Sequence, residues 1–276
     1  MAEHPRDMLR RLGLEAKHSW GQNFLGDDLV LERIAEEALL RKDEPCLELG
    51  AGLGHLTRHL LATGAKVTAV ERDRDLAQAL RRQKLEGLTL VEANAAELDF
   101  AKTAQADQVV VVGNLPYHLT SSILFEVLDQ VAHVPRAVFT LQKEVVERLT
   151  ARPGGRDYGV LTVLLGRFFE VENAFDVPAA QFHPPPKVDS AVLKLTRRPK
   201  PAAEVKDEAR FRRVVKAGFA QRRKTLLNSL KSDKALAAEV DFAAALERAG
   251  IDGTRRAETL SVEEFARLER SLDATT

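Results

Sequence analysis

Val109-Val110-Val111-Val112-Gly113-Asn114-Leu115-Pro116-Tyr117 is an apolar run that stops at a polar, turn-prone tetrapeptide. Four successive valines read as a strand buried on both faces, since β-branched side chains suit a pleated surface and no polar residue breaks the run. Gly113 lets the backbone turn, and Thr120-Ser121-Ser122 with Glu126 offer caps to a following helix. Asn114 to Tyr117 therefore stands at a strand's C-terminal end, the edge at which open α/β sheets bind ligands. Outward from there the rhythm repeats. Cys46 to Leu49, Lys66 to Glu71, Leu88 to Glu92 and Ala137 to Leu141 also read as strands, separated by amphipathic stretches, and this predicts βαβ units around a parallel sheet. Asp27 to Leu40 carries Leu29, Val30, Ile34 and Ala38 at helical spacing, so a helix precedes the first strand.

Beyond Tyr158 the pattern changes. Phe168 to Val177 and Val188 to Leu195 look like strands, but Phe182-His183-Pro184-Pro185-Pro186 lies between them instead of a helix. A terminal antiparallel pair follows, completing a seven-stranded, mostly parallel, Rossmann-like α/β sheet. Arg197-Arg198-Pro199-Lys200-Pro201 reads as a linker, and from Asp207 onward the sequence is helix-forming. The expected organisation is a catalytic domain over residues 1–200 and a small all-α domain over 201–276.

The 276 residues balance 41 Lys+Arg against 41 Asp+Glu, so any affinity for nucleic acid must come from local patches. One cysteine, Cys46, excludes an intrachain disulfide framework and a cysteine-based zinc cluster, which suits a reducing, cytoplasmic setting. Met1 to Leu14 lacks the apolar stretch of a signal peptide, and no run approaches a membrane span.

Glu48-Leu49-Gly50-Ala51-Gly52-Leu53-Gly54 follows the first strand and leads into a helix. Its glycines permit a tight turn and close approach of backbone to a ligand. The dinucleotide pattern Gly-x-Gly-x-x-Gly fails in both registers, at His55 and at Thr57, which disfavours a nicotinamide cofactor. Glu71 closes the second strand 21 residues after Gly50, where a carboxylate accepts hydrogen bonds from ribose hydroxyls. The tetrapeptide suits methylation of an exocyclic amine on a nucleobase. Such an amine is a poor nucleophile because its lone pair is delocalised into the ring. The Asn114 side-chain oxygen and the Leu115 carbonyl, aimed by the fixed φ of Pro116, can accept both amine hydrogens, and Tyr117 offers a ring for a flipped base. No metal or nucleophilic residue is required.

The acidic Gly-rich turn, Glu71 and Asn-Leu-Pro-Tyr together resemble class I methyltransferases that use S-adenosylmethionine. Nearly end to end, the chain is similar to the KsgA/Erm family of ribosomal RNA adenine-N6 dimethyltransferases. The resemblance rests on Gly21-Gln22-Asn23-Phe24-Leu25, Glu48 to Thr57, Glu71, Asn114 to Tyr117, Gln142-Lys143-Glu144 and Phe182-His183-Pro184-Pro185-Pro186-Lys187-Val188-Asp189-Ser190. It implies a cofactor site lined by Asn23, Leu25, Gly50, Glu71, Asn94 and Asn114, with Tyr117 stacking on the target adenine and Phe182 flanking it. Asn94 departs from the family, which usually has Asp there to accept from the cofactor's adenine amine, and the resemblance thus implies retuned cofactor binding.

The helical tail from Phe219 to Leu230 resembles the KsgA branch. That branch dimethylates two adjacent adenosines near the 3′ end of 16S ribosomal RNA in the immature 30S subunit. Arg222-Arg223-Lys224, expected on a helix, is the densest basic cluster and a candidate phosphate contact; a solvated helix face is its other reading. Two further readings of the whole stay open: an Erm-type 23S methyltransferase, and an RNA-binding assembly factor without activity. Nothing in the sequence implies an obligate protein partner, so a monomer is expected.

Overall fold

The computed structural model describes residues 3–272; the outer ends of the two sequence-drawn domains, residues 1–2 and 273–276, lie outside the described residues. The strands are β1 (Phe24–Leu25), β2 (Pro45–Leu49), β3 (Lys66–Glu71), β4 (Leu88–Glu92), β5 (Val110–Asn114), β6 (Arg136–Gln142), β7 (Phe169–Val177), β8 (Phe182–His183) and β9 (Ser190–Arg197). Helices of the first half are α1 (Pro5–Leu12), α2 (Asp28–Glu37), α3 (His55–Ala62), α4 (Arg74–Arg82), α5 (Phe100–Ala104), α6 (Thr120–Asp129), α7 (Lys143–Leu149) and α8 (Val160–Phe168). Those that follow are α9 (Glu208–Phe219), α10 (Leu226–Leu230), α11 (Lys234–Glu239), α12 (Phe242–Arg248) and α13 (Val262–Arg270).

Seven strands form one sheet in the order β4-β3-β2-β5-β6-β9-β7. Pairing is parallel from β4 through β6, and β9, the last strand among the described residues, runs antiparallel to β6 and is inserted between β6 and β7. The expected mixed sheet is thus present. Val110 and Val112 of β5 join Cys46, Val67 and Val138 in a core beneath α2 and α3, supplied there by Leu31, Ile34, Leu56 and Leu60. Val111 faces the other way and is equally buried, as a strand covered on both sides requires. Each such valine contributes about 1.5–3 kcal/mol by leaving water.

Two local expectations are corrected. Gly113 does not turn the chain. The strand runs on through it to Asn114, and the reason for glycine is space: a Cβ there would lie 2.6 Å from the Leu49 carbonyl and 2.9 Å from a Leu115 methyl. Nor do Thr120, Ser121 or Ser122 cap the next helix. A 3-10 turn over Tyr117–Leu119 feeds α6 directly, and its N-cap, Leu119, makes no side-chain cap. At α2 the expected start does hold, because Asp27 accepts from the Val30 N–H at 3.0 Å.

The chain divides into two compact units. One runs to Val146 and takes in Glu172–Arg197; the other is Glu147–Val171 with the chain from Arg198 onward. The boundary drawn at residue 200 falls close to Arg197, but residues 147–171, drawn into the catalytic domain, group with the helical unit. Within that unit Arg167 of α8 donates to the Ala203 carbonyl at 2.9 Å and pairs with Glu208 of α9. Among the described residues no helix is long and apolar enough to cross a membrane.

Candidate active site

The sheet's topology decides where a ligand can sit. β2 has β3 on one side and β5 on the other, so the strand order reverses there and a crevice opens beyond its C-terminal end. Register brings Glu71 level with Glu92 and Leu49 level with Val70, so the ends of β4, β3, β2 and β5 share one edge. Along it stand, in spatial order, Asn94, Glu71, Gly50 and Asn114. At roughly 4.8 Å per strand this row spans about 14 Å, the length of a nucleoside carrying an extended side chain. A cavity of about 270 Å³ lies over the row, and Asn23, Leu25, Tyr117, Leu115 and Pro116 also line it.

At the end of β2 the chain is turned by hydrogen bonds from Gly50 and Ala51 to the Val70 carbonyl, at 2.9 and 3.1 Å. Gly52, at φ +55°, then donates its N–H to Glu71 Oε2 at 2.8 Å, while the Asp73 N–H reaches Oε1 at 2.8 Å. Burial pushes the Glu71 carboxyl up, and the two amides work against that. Each oxygen, fixed by one amide, retains acceptor capacity toward the cavity.

Glu48, 1% exposed, accepts from Thr57 Oγ1 at 2.6 Å, and its burial pushes it up to about 8. Sequence reasoning quoted Glu48 within a motif but assigned it no role; the signal was an acidic residue placed in an otherwise apolar strand. A carboxyl with a raised folded pKa keeps its proton in the native state while the unfolded chain loses it. Stability therefore falls as pH rises from about 4.5 toward 8, by up to about 1.4 kcal/mol per pH unit from this group. Glu48→Gln is expected to match the wild type near pH 5 and to exceed it above pH 8. Urea midpoints at three pH values check this, and parallel curves across the range would refute it.

Asn114 is held by one bond, from its Nδ2 to the Asn23 carbonyl at 2.9 Å. That contact fixes the amide plane and leaves Oδ1 as the acceptor. Pro116, at φ −58°, begins the turn in which the Leu119 N–H takes the Pro116 carbonyl at 2.9 Å. The half-buried Tyr117 is anchored at its hydroxyl by Ser190 Oγ, 2.8 Å away. At the far end of the row Asn94 donates to Glu97 Oε1 at 2.6 Å and accepts from the Ala96 N–H at 3.3 Å.

Four expected site residues are placed otherwise. Phe182 is 4% exposed and does not line the cavity; it lies opposite Leu25 in the β1–β8 pair and packs into the core beneath α2. An aromatic side chain under a Pro-rich loop gains more by burial than at the cavity wall. Arg222, Arg223 and Lys224 do not lie on a helix. They occupy the exposed turn between α9 and α10, where Arg222 hydrogen-bonds the Arg156 carbonyl. Of the cations earlier on α9, Arg213 pairs with Asp233 at 2.7 Å and Arg212 with Glu208 at 3.5 Å. Cavity residues that sequence reasoning missed include Trp20, the only tryptophan in the chain, and Arg72.

A family model described as ribosomal RNA adenine dimethylase matches residues 13–274. A protein of Myxococcus xanthus named ribosomal RNA small subunit methyltransferase A is 64% identical over 99% of this chain and 97% of its own length. One of the same name from Bacillus mycoides is 40% identical over 97% and 94%. Among solved structures, the 23S rRNA methyltransferase ErmE superposes with a TM-score of 0.69 at 32% identity, covering 91% of this chain and 100% of that one. A dimethyladenosine transferase from Plasmodium falciparum gives 0.77 at 25% identity, over 89% and 95%.

Proposed function

The chain belongs to the ribosomal RNA adenine dimethylase family and is an S-adenosylmethionine-dependent ribosomal RNA methyltransferase of class I fold; on that footing we propose that it converts two adjacent adenosines near the 3′ end of 16S RNA to N6,N6-dimethyladenosine within the immature small subunit. It acts as a monomer in the cytoplasm. The small-subunit assignment is supported by relatives at 64% and 40% identity that carry that name.

The single observation that carries the chemistry is Asn114, which lines the cavity at the end of β5 with its amide held through Nδ2, so that Oδ1 remains its acceptor. S-adenosylmethionine, when bound, supplies a methyl group activated by its sulfonium. Glu71 fits the ribose hydroxyls, the Gly50 turn fits close backbone approach, and Asn94 with Asn23 and Leu25 completes the enclosure. The buried, doubly fixed Glu71 carboxylate beside a glycine turn is the feature that suits such a ligand. Asn114 Oδ1 and the Leu115 carbonyl then accept the two hydrogens of the target amine and turn its lone pair toward the methyl group. Tyr117, held by Ser190, stacks on the extruded base. The displaced proton leaves to water, because Asn114 has no carboxylate to take it. Asn114→Asp exceeding the wild-type rate with a steep pH dependence would contradict that last step.

Arg222, Arg223 and Lys224, exposed in their turn, make phosphate contacts. The reading as a whole is tested by incubating the protein with unmethylated small subunits and labelled S-adenosylmethionine and mapping the modified nucleotides by mass. Dimethylation of two neighbouring adenosines near the 3′ end is expected; label in 23S RNA, or none, would overturn it. Asn94→Asp is expected to tighten cofactor binding about three- to tenfold, since a carboxylate accepts more strongly than an amide. Calorimetric titration decides, and an unchanged Kd would remove Asn94 from the site.

A further inference from the structure

The segment Lys17–Gln22 forms part of the cavity wall, yet it holds only a 3-10 turn over His18–Trp20, with no buried residue. A loop without a core of its own is held by polar contacts or not at all. Here they converge on one carboxylate more than 50 residues away. Lys17 Nζ lies 2.8 Å from Asp73 Oδ1, and Gln22 Nε2 lies 2.8 Å from Asp73 Oδ2. The Lys17 N–H closes the segment on itself through Gln22 Oε1 at 2.8 Å, and Asp75 adds a contact to Lys17 at 3.0 Å. Asp73 is 2% exposed. Burial alone would raise its carboxyl, but the bonds from Lys17 and Gln22 outweigh this and hold it below the usual range. It is therefore charged, and its hydrogen bonds are of the stronger, charge-assisted kind.

From Asp73 the connection continues into the cavity: its backbone N–H reaches Glu71 Oε1, whose other oxygen takes the Gly52 N–H. Asp73 itself does not line the cavity, whereas Ser19, Trp20 and Gly21 do, alongside Glu71 and Arg72. Trp20 is 37% exposed, with the Arg72 guanidinium 5.1 Å from its ring centroid and the Lys17 ammonium 5.3 Å away. An indole on the wall beside a ribose-binding carboxylate offers a face to a planar heterocycle.

We propose that Asp73 is a positioning residue for cofactor binding: it latches the Lys17–Gln22 segment as a wall over the nucleoside end of S-adenosylmethionine, where Trp20 closes on the ligand. The inference rests on the reading of Glu71 as the ribose contact. Because the chain has one tryptophan, its emission reports on this wall alone. Titration with S-adenosylmethionine should change Trp20 emission with the Kd found by calorimetry. Asp73→Asn, which keeps the α4 cap, and a Lys17→Ala, Gln22→Ala double variant, which leaves that cap untouched, should each weaken cofactor binding about ten- to a hundredfold. At saturating cofactor kcat should stay within about threefold, and Lys17→Arg should restore near-normal affinity; a general loss of folding would give neither. Latch variants that bind like the wild type, or emission that responds to RNA and not to cofactor, would overturn the proposal. Unimpaired binding by Glu71→Ala would instead overturn the underlying site reading.

Discussion

Asn114→Ala is expected to lower the single-turnover rate of N6 methylation about a hundred- to a thousandfold, the largest effect of any one substitution in the chain. The substitution removes the acceptor that turns the amine lone pair toward the methyl donor, an interaction whose value lies in the transition state. It also frees the Asn23 carbonyl, so the segment before β1 loses its tie to the end of β5. The two effects separate experimentally. A positioning loss lowers the rate at saturating cofactor and RNA, while a loosened Asn23 raises the cofactor Kd. Asn114→Asp keeps an acceptor but cannot donate to Asn23, and should fall between Ala and wild type. A rate for Asn114→Ala within tenfold of wild type at saturation would show that the amine is oriented by something else.

Second in size is Glu71→Ala, for which cofactor affinity should fall about a hundredfold or more. The carboxylate serves both sides of the wall: it receives the Gly52 and Asp73 amides and presents its remaining lone pairs to two hydroxyls. Hydrogen bonds to a charged group contribute about 1.5–3 kcal/mol each, so losing a pair is costly even if the turn holds its shape. Glu71→Gln should be intermediate, because its amide group can accept at one end only and leaves one of the two backbone N–H groups unmatched. Calorimetry with S-adenosylmethionine checks both, and an affinity within threefold of wild type would exclude Glu71 as a ribose contact. Since the residue is far from the basic turn at Arg222 in sequence and chemistry, RNA affinity should not move with it.

Much of this site could be read from local pattern because its parts sit at strand ends. A strand-to-turn transition is marked in sequence by valines giving way to Gly, Asn and Pro, and parallel pairing forces all such ends onto one edge. That is why Gly50, Glu71 and Asn114 were legible although 64 residues separate the first from the last, whereas Asn94 came only from the family resemblance. Gly113 shows the limit of the same reasoning. Turn-forming freedom and close packing both select glycine, and only the 2.6 Å approach to the Leu49 carbonyl tells which applies. Phe182 shows another limit: alternation does not say whether an aromatic residue beside prolines faces a cavity or a core. Residues 147–171 precede the Arg197–Pro201 linker and so were drawn with the sheet, and only the contacts of Arg167 with Ala203 and Glu208 tie α8 to the helices that follow. The contacts of Asp73 with Lys17 and Gln22 were out of reach altogether, because charged runs such as Glu71 to Asp75 are mostly solvated and nothing local marks Asp73 as buried within this one.

The row of strand ends has a consequence for turnover. Contacts at Asn94, Glu71 and Gly50 would recognise adenine, ribose and amino acid, and none of them senses the methyl group that is given away. The demethylated product shares all three features and so should be gripped about as firmly as its precursor. Dimethylating one amine takes two donors, so the spent one must depart and be replaced between the halves of the task. Product inhibition and the pace of that exchange, more than the methyl transfers themselves, would then govern how quickly an adenosine passes from one methyl group to two.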